Sequence, residues 1–543
     1  MGQRLRAWAV VLLASAAWAA GASAQPIQNL VLRNSFNPIG AGARGLGMGG
    51  AFIAVADDGT AASFNPAGLA QLRRTELALV GFHGSLRSDT LFPRDGRTDS
   101  STSKHGALDF AGLSVPFEVG GRNMTVQLSY QRSVDLFGEG AVRLQDVVSA
   151  GDLLGADLAD TRTALARIPG LRTTLSASTP VSVSSSSDER SPISQAGAFH
   201  TGGVSLAYQA TQRLAIGASF NFWRASWEAS GIKRLDVSVP GAFGTGGASL
   251  PLYSESSDFE QRHSMTAFSL NSGFLLRYPK VSIGGVLRLP FSGDYDLEET
   301  VEERLNVLAA LVTTAPGVNP AQLVALPATT TETAFGSRLR WPRSGGVGIA
   351  LRPISGLTLA ADYSRAQWSR AVIEDVPAGA LFTPAPATDA ETGDEGEVTY
   401  SDRSFFDLAA AAQTGTLDTS AWRIGGEYLV SLPWLVVPLR GGYYQDESPI
   451  GQLTGGPREI EGWTAGTGLN FNRVVIDVAF ERRKSEGAVS LFLGRGQGAV
   501  NAEAPVETVR DDRVVASVMY RFGGDDDPVK RLFRALFVGP REE

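Results

Sequence analysis

The residue types that most often carry chemistry are sparse in this chain. It has four histidines, His83, His105, His200 and His263, and no cysteine. Without cysteine there is no thiol nucleophile, thiolate metal site or disulfide framework. The histidines lie on separate segments, and none stands in a nucleophile or metal-ligand motif. Each reads as an ordinary strand or loop residue, so no enzyme activity, cofactor or metal is expected. Gly45-Leu46-Gly47-Met48-Gly49-Gly50 formally fits a dinucleotide fingerprint. That loop must follow a buried strand and open a crossover helix, and no βα repeat surrounds it. Asp57-Asp58-Gly59 lacks the remaining ligands of a calcium loop. A net charge of −8 argues against a general nucleic-acid binder.

The remaining candidates are charged residues inside alternating segments. Arg277, Arg288, Arg338, Arg340, Arg423 and Arg440 fall on the polar face of their segments, as do Asp362, Glu427, Asp477 and Glu481. Two uses suit such a set. One is a network of paired charges that braces an interior, since an unpaired charge away from water is costly. The other is recognition of a ligand carboxylate, for which Arg288, Arg423 and Arg440 are the candidates.

The elements that position them have a period of two. Val474, Ile476, Val478 and Phe480 share one face, with Val475, Asp477, Ala479 and Glu481 on the other. Leu357, Leu359, Ala361 and Tyr363 alternate with Thr358, Ala360, Asp362 and Ser364, and Trp422, Ile424 and Tyr428 with Arg423, Gly425 and Glu427. One apolar face against a small or polar one describes either a sandwich or a membrane barrel with apolar residues toward lipid. Aromatics near segment ends (Trp223, Trp227, Tyr278, Trp341, Trp368, Trp434, Tyr443 and Tyr520) suggest two interfacial girdles and favour the barrel.

The pattern predicts an all-β transmembrane barrel of about 14 antiparallel strands, at 75–86, 103–116, 121–135, 196–210, 212–228, 259–279, 280–296, 333–353, 356–374, 418–431, 434–447, 457–472, 473–486 and 509–522. Joints at Val119-Gly120-Gly121, Ala210-Thr211, Pro279-Lys280, Pro353 to Gly356, Leu432-Pro433 and Asn472-Arg473 are tight. Those at 87–102, 136–195, 229–258, 297–332, 375–417 and 487–508 are long. Short periplasmic turns and long extracellular loops are the usual asymmetry. Apolar spacing in 301–312 and 141–168 predicts helical stretches within two of the loops.

The two ends differ from the middle. Arg4 and Arg6, an apolar run from Ala7 to Ala20 and Ala22-Ser23-Ala24 read as a signal peptide over 1–24, implying export. At the far end Val514, Ala516, Val518, Tyr520 and Phe522 make an amphipathic strand closed by an aromatic. A tail, 523–543, follows, with Asp525 to Asp527 suited to cap a short helix. Residues 25–72 precede the barrel pattern, and 37–70 are too rich in glycine and alanine for a strand or helix; a compact hatch inside the lumen suits them.

The run Gly42 to Ala70, with Asn65-Pro66-Ala67, resembles the N-terminal hatch of the FadL/TodX superfamily of outer-membrane transporters for fatty acids and other hydrophobic compounds. Gly346 to Ala350 with Arg352-Pro353, Leu357 to Tyr363 and Trp368 resemble one hairpin of that family. Arg423 to Tyr428, Leu439 to Tyr443 and Asp446 to Pro449 resemble another. The resemblance implies a hatch over 25–72 and a barrel over 73–522 in the outer membrane of a Gram-negative cell. It implies passive uptake of long-chain fatty acids or other hydrophobic compounds as a monomer. Asn65, Pro66 and Ala67, with Gly47, Gly49 and Gly50, would form the hatch and its lateral exit beside a kinked strand. The third strand has no Gly or Pro after Gly121, so no kink is legible there. The hatch is also similar to that of PorV-like barrels linked to secretion, which implies a protein partner instead.

Overall fold

The computed structural model describes residues 40–92, 96–140, 143–150, 176–187, 193–242, 248–313, 318–377, 400–405, 416–451, 457–488 and 506–523, with isolated positions between 151 and 175. The expected signal peptide and the tail helix lie outside them.

Fourteen antiparallel strands close into a barrel. They are β1 (Glu76–Phe92), β2 (Arg97–Val119), β3 (Arg122–Asp135), β4 (Ile193–Gln209), β5 (Leu214–Val239) and β6 (Leu250–Arg277). Next come β7 (Val281–Arg288 continued by Phe291–Leu308), β8 (Thr329–Trp341 continued by Ser344–Leu351) and β9 (Leu357–Ala366 continued by Val372–Pro377). The last five are β10 (Thr419–Ser431), β11 (Val436–Gly451), β12 (Pro457–Asn470), β13 (Val474–Ala488) and β14 (Val506–Arg521). β1 closes the ring on β14, from Glu76 opposite Arg521 to Leu91 opposite Val506. Every expected strand is present. The tight turns also fall where expected, with Gly120, Gly121, Gly356 and Asn472 at positive φ.

Alternation divides lipid from lumen. Ile476, Val478 and Phe480 of β13 are exposed on the outside, whereas Asp477 and Glu481 are buried inside. The same holds for Trp422, Ile424 and Tyr428 against Arg423 and Glu427 of β10. An outer girdle is formed by Tyr363, Trp422 and Trp463, and an inner one by Tyr278, Trp434, Phe471 and Tyr520. Trp463 and Phe471 lie eight residues apart. That is about 27 Å along a strand, or roughly 20 Å of membrane normal at ~40° tilt, close to the ~25 Å apolar band of such barrels.

Above the outer girdle the polarity inverts. β5 presents Arg224 and Glu228 to the outside, while Ala225, Trp227 and Ala229 turn inward. Outside the membrane the outer face meets water, so the apolar side must face in. This corrects three sequence expectations. Arg338 and Arg340 face outward, with Leu339 and Trp341 inward. Trp227, Trp341 and Trp368 line the interior rather than a girdle. The segments 87–102, 229–258 and 297–332, expected as loops, are mostly strand extensions of β1, β2, β5, β6 and β7. Val301–Leu308 belongs to β7, and only Ala309–Val312 is helical. Arg143–Ser149 is a strand, and most of 150–168 lies outside the described residues. Val301, Leu305 and Leu308 satisfy a helical spacing, but β6 and β8 offer ladders on both sides of the segment and tertiary pairing prevails.

Candidate functional site

The N-terminal segment packs inside the lower barrel. It comprises α1 (Ala43–Gly47), α2 (Ala61–Phe64) and a 3-10 turn, Pro66–Gln71. Phe52 meets Phe64 edge-on, with centroids 4.9 Å apart. Alanines at 51, 54, 56, 61, 67 and 70 let the backbone fold tightly around that pair.

The barrel holds the segment through polar side chains that alternation turned inward. Asp362 accepts from the Phe52 and Ile53 N–H groups at 2.7 and 2.9 Å. Thr464 accepts from Gly49 N–H and donates to Gly47 C=O. Arg44 forks onto Glu427 at 2.9 and 3.0 Å and also pairs with Asp57. Gly49 and Gly50 sit at φ +67° and +74°, which favours glycine. Gly442 of β11 admits the segment so closely that a Cβ there would lie 2.2 Å from Gly49 N.

Asn65, Pro66 and Ala67 lie opposite β5 and β6. The Asn65 amide donates to Ile53 C=O and Phe274 C=O, and its oxygen accepts from Ala67 N–H. Pro66 and Ala67 press on Gly217. Of the three arginines singled out, Arg423 pairs with Asp446 at 3.2 Å, and Arg440 with Glu427 and Asp477 at 2.7 Å each. Arg288 donates to Ser63 C=O at 3.4 Å and has no carboxylate partner among the described residues.

The wall parts at one seam. β2 and β3 pair from Val119 opposite Arg122 up to Phe110 opposite Gln131. Beyond that level β2 pairs only with β1, and β3 only with β4. Both strands carry an extra residue there. Val80 and Gly81 of β1 face Phe110 and Leu108, leaving Asp109 unmatched. His200 and Phe199 of β4 face Arg132 and Val134, leaving Ser133 unmatched. These are β-bulges, which bend a strand without needing Gly or Pro. The register is thus irregular at Asp109 and Ser133, with neither position occupied by Gly or Pro. A trace exists in hindsight: Leu108 faces out and Phe110 in, so the alternation continues only if Asp109 is skipped.

At this seam a cavity of about 120 Å³ lies beside the start of the N-terminal segment. Gly40, Gly42 and Leu46 form one side and Phe82, Leu86, His105, Asp109 and Phe137 another, with polar Ser103, Gln131 and Ser133 and the charged Arg132, Asp135, Arg483, Asp511 and Arg513 also in the lining. His105 stacks on Phe137 at 4.4 Å, and Arg513 lies 4.5 Å over the Phe82 ring. Asn65 to Ala67 and Arg288, Arg423 and Arg440 do not line it. The cavity's charged residues were not anticipated from sequence: Asp109 sits at a bulge, whereas Arg483, Asp511 and Arg513 continue the regular inward faces of β13 and β14 and were simply not singled out. His263 lies elsewhere, stacked on Trp227 at 4.5 Å within an aromatic cluster with Phe199, Trp341 and Trp368 above the N-terminal segment. Among the described residues no cluster of His, Asp or Glu has the arrangement of a metal site.

No protein-family profile matches the chain, and no curated protein does. Solved structures do. A FadL homologue of Pseudomonas aeruginosa superposes with a TM-score of 0.53 at 14% identity, over 89% of this chain and 99% of that one. The toluene transporter TodX of P. putida gives 0.50 at 13% identity, over 90% and 100%. The fold is that of the FadL and TodX barrels. The shared fold extends over about nine-tenths of this chain.

Proposed function

We propose that this FadL-like barrel mediates passive uptake of hydrophobic small molecules across the outer membrane, with residues 25–72 as its hatch. Cargo enters through the aromatic interior above the girdle, moves down beside the hatch, occupies the seam cavity and leaves sideways where β2 and β3 part. The cavity at the seam carries this reading. It puts a partly open site next to the hatch at a level where, among the described residues, β2 and β3 no longer pair. A lateral exit suits an apolar cargo, since each buried methylene is worth about 0.8 kcal/mol and re-entry into water would forfeit it. No energy source is required.

Asn65, Pro66 and Ala67 seat the hatch against β5 and β6, and Gly47, Gly49 and Gly50 seat it against β11 and β12. Bracing, not ligand binding, is the role assigned to Arg423 and Arg440, whose carboxylates already neutralise them. Fatty acids and aromatic hydrocarbons remain the two cargo classes. The toluene transport named for TodX supports the second.

The test is mass spectrometry of small molecules retained by detergent-purified, delipidated protein after exposure to a mixed panel of fatty acids and hydrocarbons. Retention of one class, lost when Asn65 to Ala67 are deleted, supports uptake. Retention of detergent alone, with a protein co-purifying, favours a secretion-linked barrel.

A further inference from the structure

The seam cavity has an asymmetry that bears on cargo chemistry, and the argument here rests on the uptake reading above. Three guanidinium groups reach it, and two are committed. Arg132 donates to Asp135 at 2.7 Å and to Gly197 C=O, and Arg483 pairs with Asp511. Ser103 Oγ and His105 Nε2 have no hydrogen-bond partner among the described residues, and neither do two charged groups, Asp109 and Arg513. The Asp109 carboxylate, on the bulge itself, makes neither a hydrogen bond nor an ion pair within 4 Å. Arg513 has only a long approach to Glu481, at 3.8 Å, and its buried Nε–H is unpartnered. Phe82, Leu86, Phe137 and Val515 give the wall an apolar patch beside polar Ser103, Gln131 and Ser133.

We propose that the cavity selects single-ring compounds bearing a hydroxyl group, such as phenols, over carboxylates. A hydroxyl both donates and accepts. It satisfies Asp109 as a donor and Arg513 as an acceptor, and its ring rests on the apolar patch. A hydrocarbon of the same size occupies the wall but leaves both groups unmet. A carboxylate accepts from Arg513 but meets Asp109, Asp135 and Asp511 around it with no proton to give.

The experiment is equilibrium dialysis of the detergent-purified full-length barrel with labelled p-cresol, toluene and benzoate at neutral pH. p-Cresol is expected to bind about tenfold tighter than toluene, the gain of one hydrogen bond to a charged group, and benzoate weakest. In Asp109→Leu the preference for p-cresol over toluene falls to within about twofold, while toluene binding persists and shows the barrel folded. In Asp109→Asn benzoate gains relative to toluene. Equal binding of p-cresol and toluene by the unaltered protein overturns the hydroxyl preference and leaves the uptake site standing. So does a preference that survives in Asp109→Leu. Binding of none of the three overturns the site along with the preference.

Discussion

At the residue scale, the lumen is held by charges that alternation turned inward and that found partners. Asp362 anchors two backbone N–H groups of the N-terminal segment. Asp362→Ala leaves both buried and unmet, at a cost of about 1–3 kcal/mol each. The expected result is faster proteolysis within residues 40–72 while the barrel stays folded, read by limited digestion. Lys233 is a contrasting case in the extracellular extension of β5. It is buried, its amine has no hydrogen-bond partner among the described residues, and burial pushes its pKa down to about 8 from 10.5. The unfolded chain therefore binds the proton more tightly than the folded one. The penalty is full below about pH 8, fades as the pH rises toward 10.5 and amounts to roughly 3 kcal/mol. Lys233→Met should raise stability to urea at pH 7 by an amount that shrinks by pH 10. An equal gain at both values would assign the effect to packing instead. Arg423, Arg440, Asp362 and Glu427 were legible as inward-facing from period two alone. Asp109 and Arg44 were not, because a bulge and an irregular segment have no period to read.

At the element scale, strand existence was legible and strand length was not. The apolar face that marks a strand in lipid disappears above the girdle, where Arg224, Glu228, Arg338 and Arg340 point outward. The stretches 87–102, 229–258 and 297–332, beyond the reach of that signal, therefore resembled loops, and 301–312 resembled a helix. The proposed hatch, the N-terminal segment, approaches the barrel closely at glycines of β10, β11 and β12. Gly442→Val would drive two side-chain branches into Gly49. The hatch should shift and the lumen leak, so liposome swelling in small sugars should rise well above the unaltered protein. Swelling that does not change would show that the hatch blocks the lumen without that contact.

At the scale of the whole molecule, two polarity schemes are stacked along one barrel. Phe220 lies within the lipid-facing band and Arg224, one turn of alternation higher, lies above it. Phe220→Arg should cost about 2–4 kcal/mol if it sits near the midplane, whereas Arg224→Ala should change stability by less than ~0.5 kcal/mol. Urea unfolding in lipid vesicles measures both. The central claim is that hydrophobic cargo leaves through the seam. Deleting Ser133 places Arg132 and Val134 against His200 and Phe199 without a bulge and straightens β3. The direct measurement is accumulation of labelled toluene by cells whose outer membrane carries the protein, compared with cells carrying the Ser133 deletion. Accumulation that depends on the protein and collapses with the deletion, at equal amounts of folded barrel, is the predicted result. Undiminished accumulation through the straightened strand would contradict it.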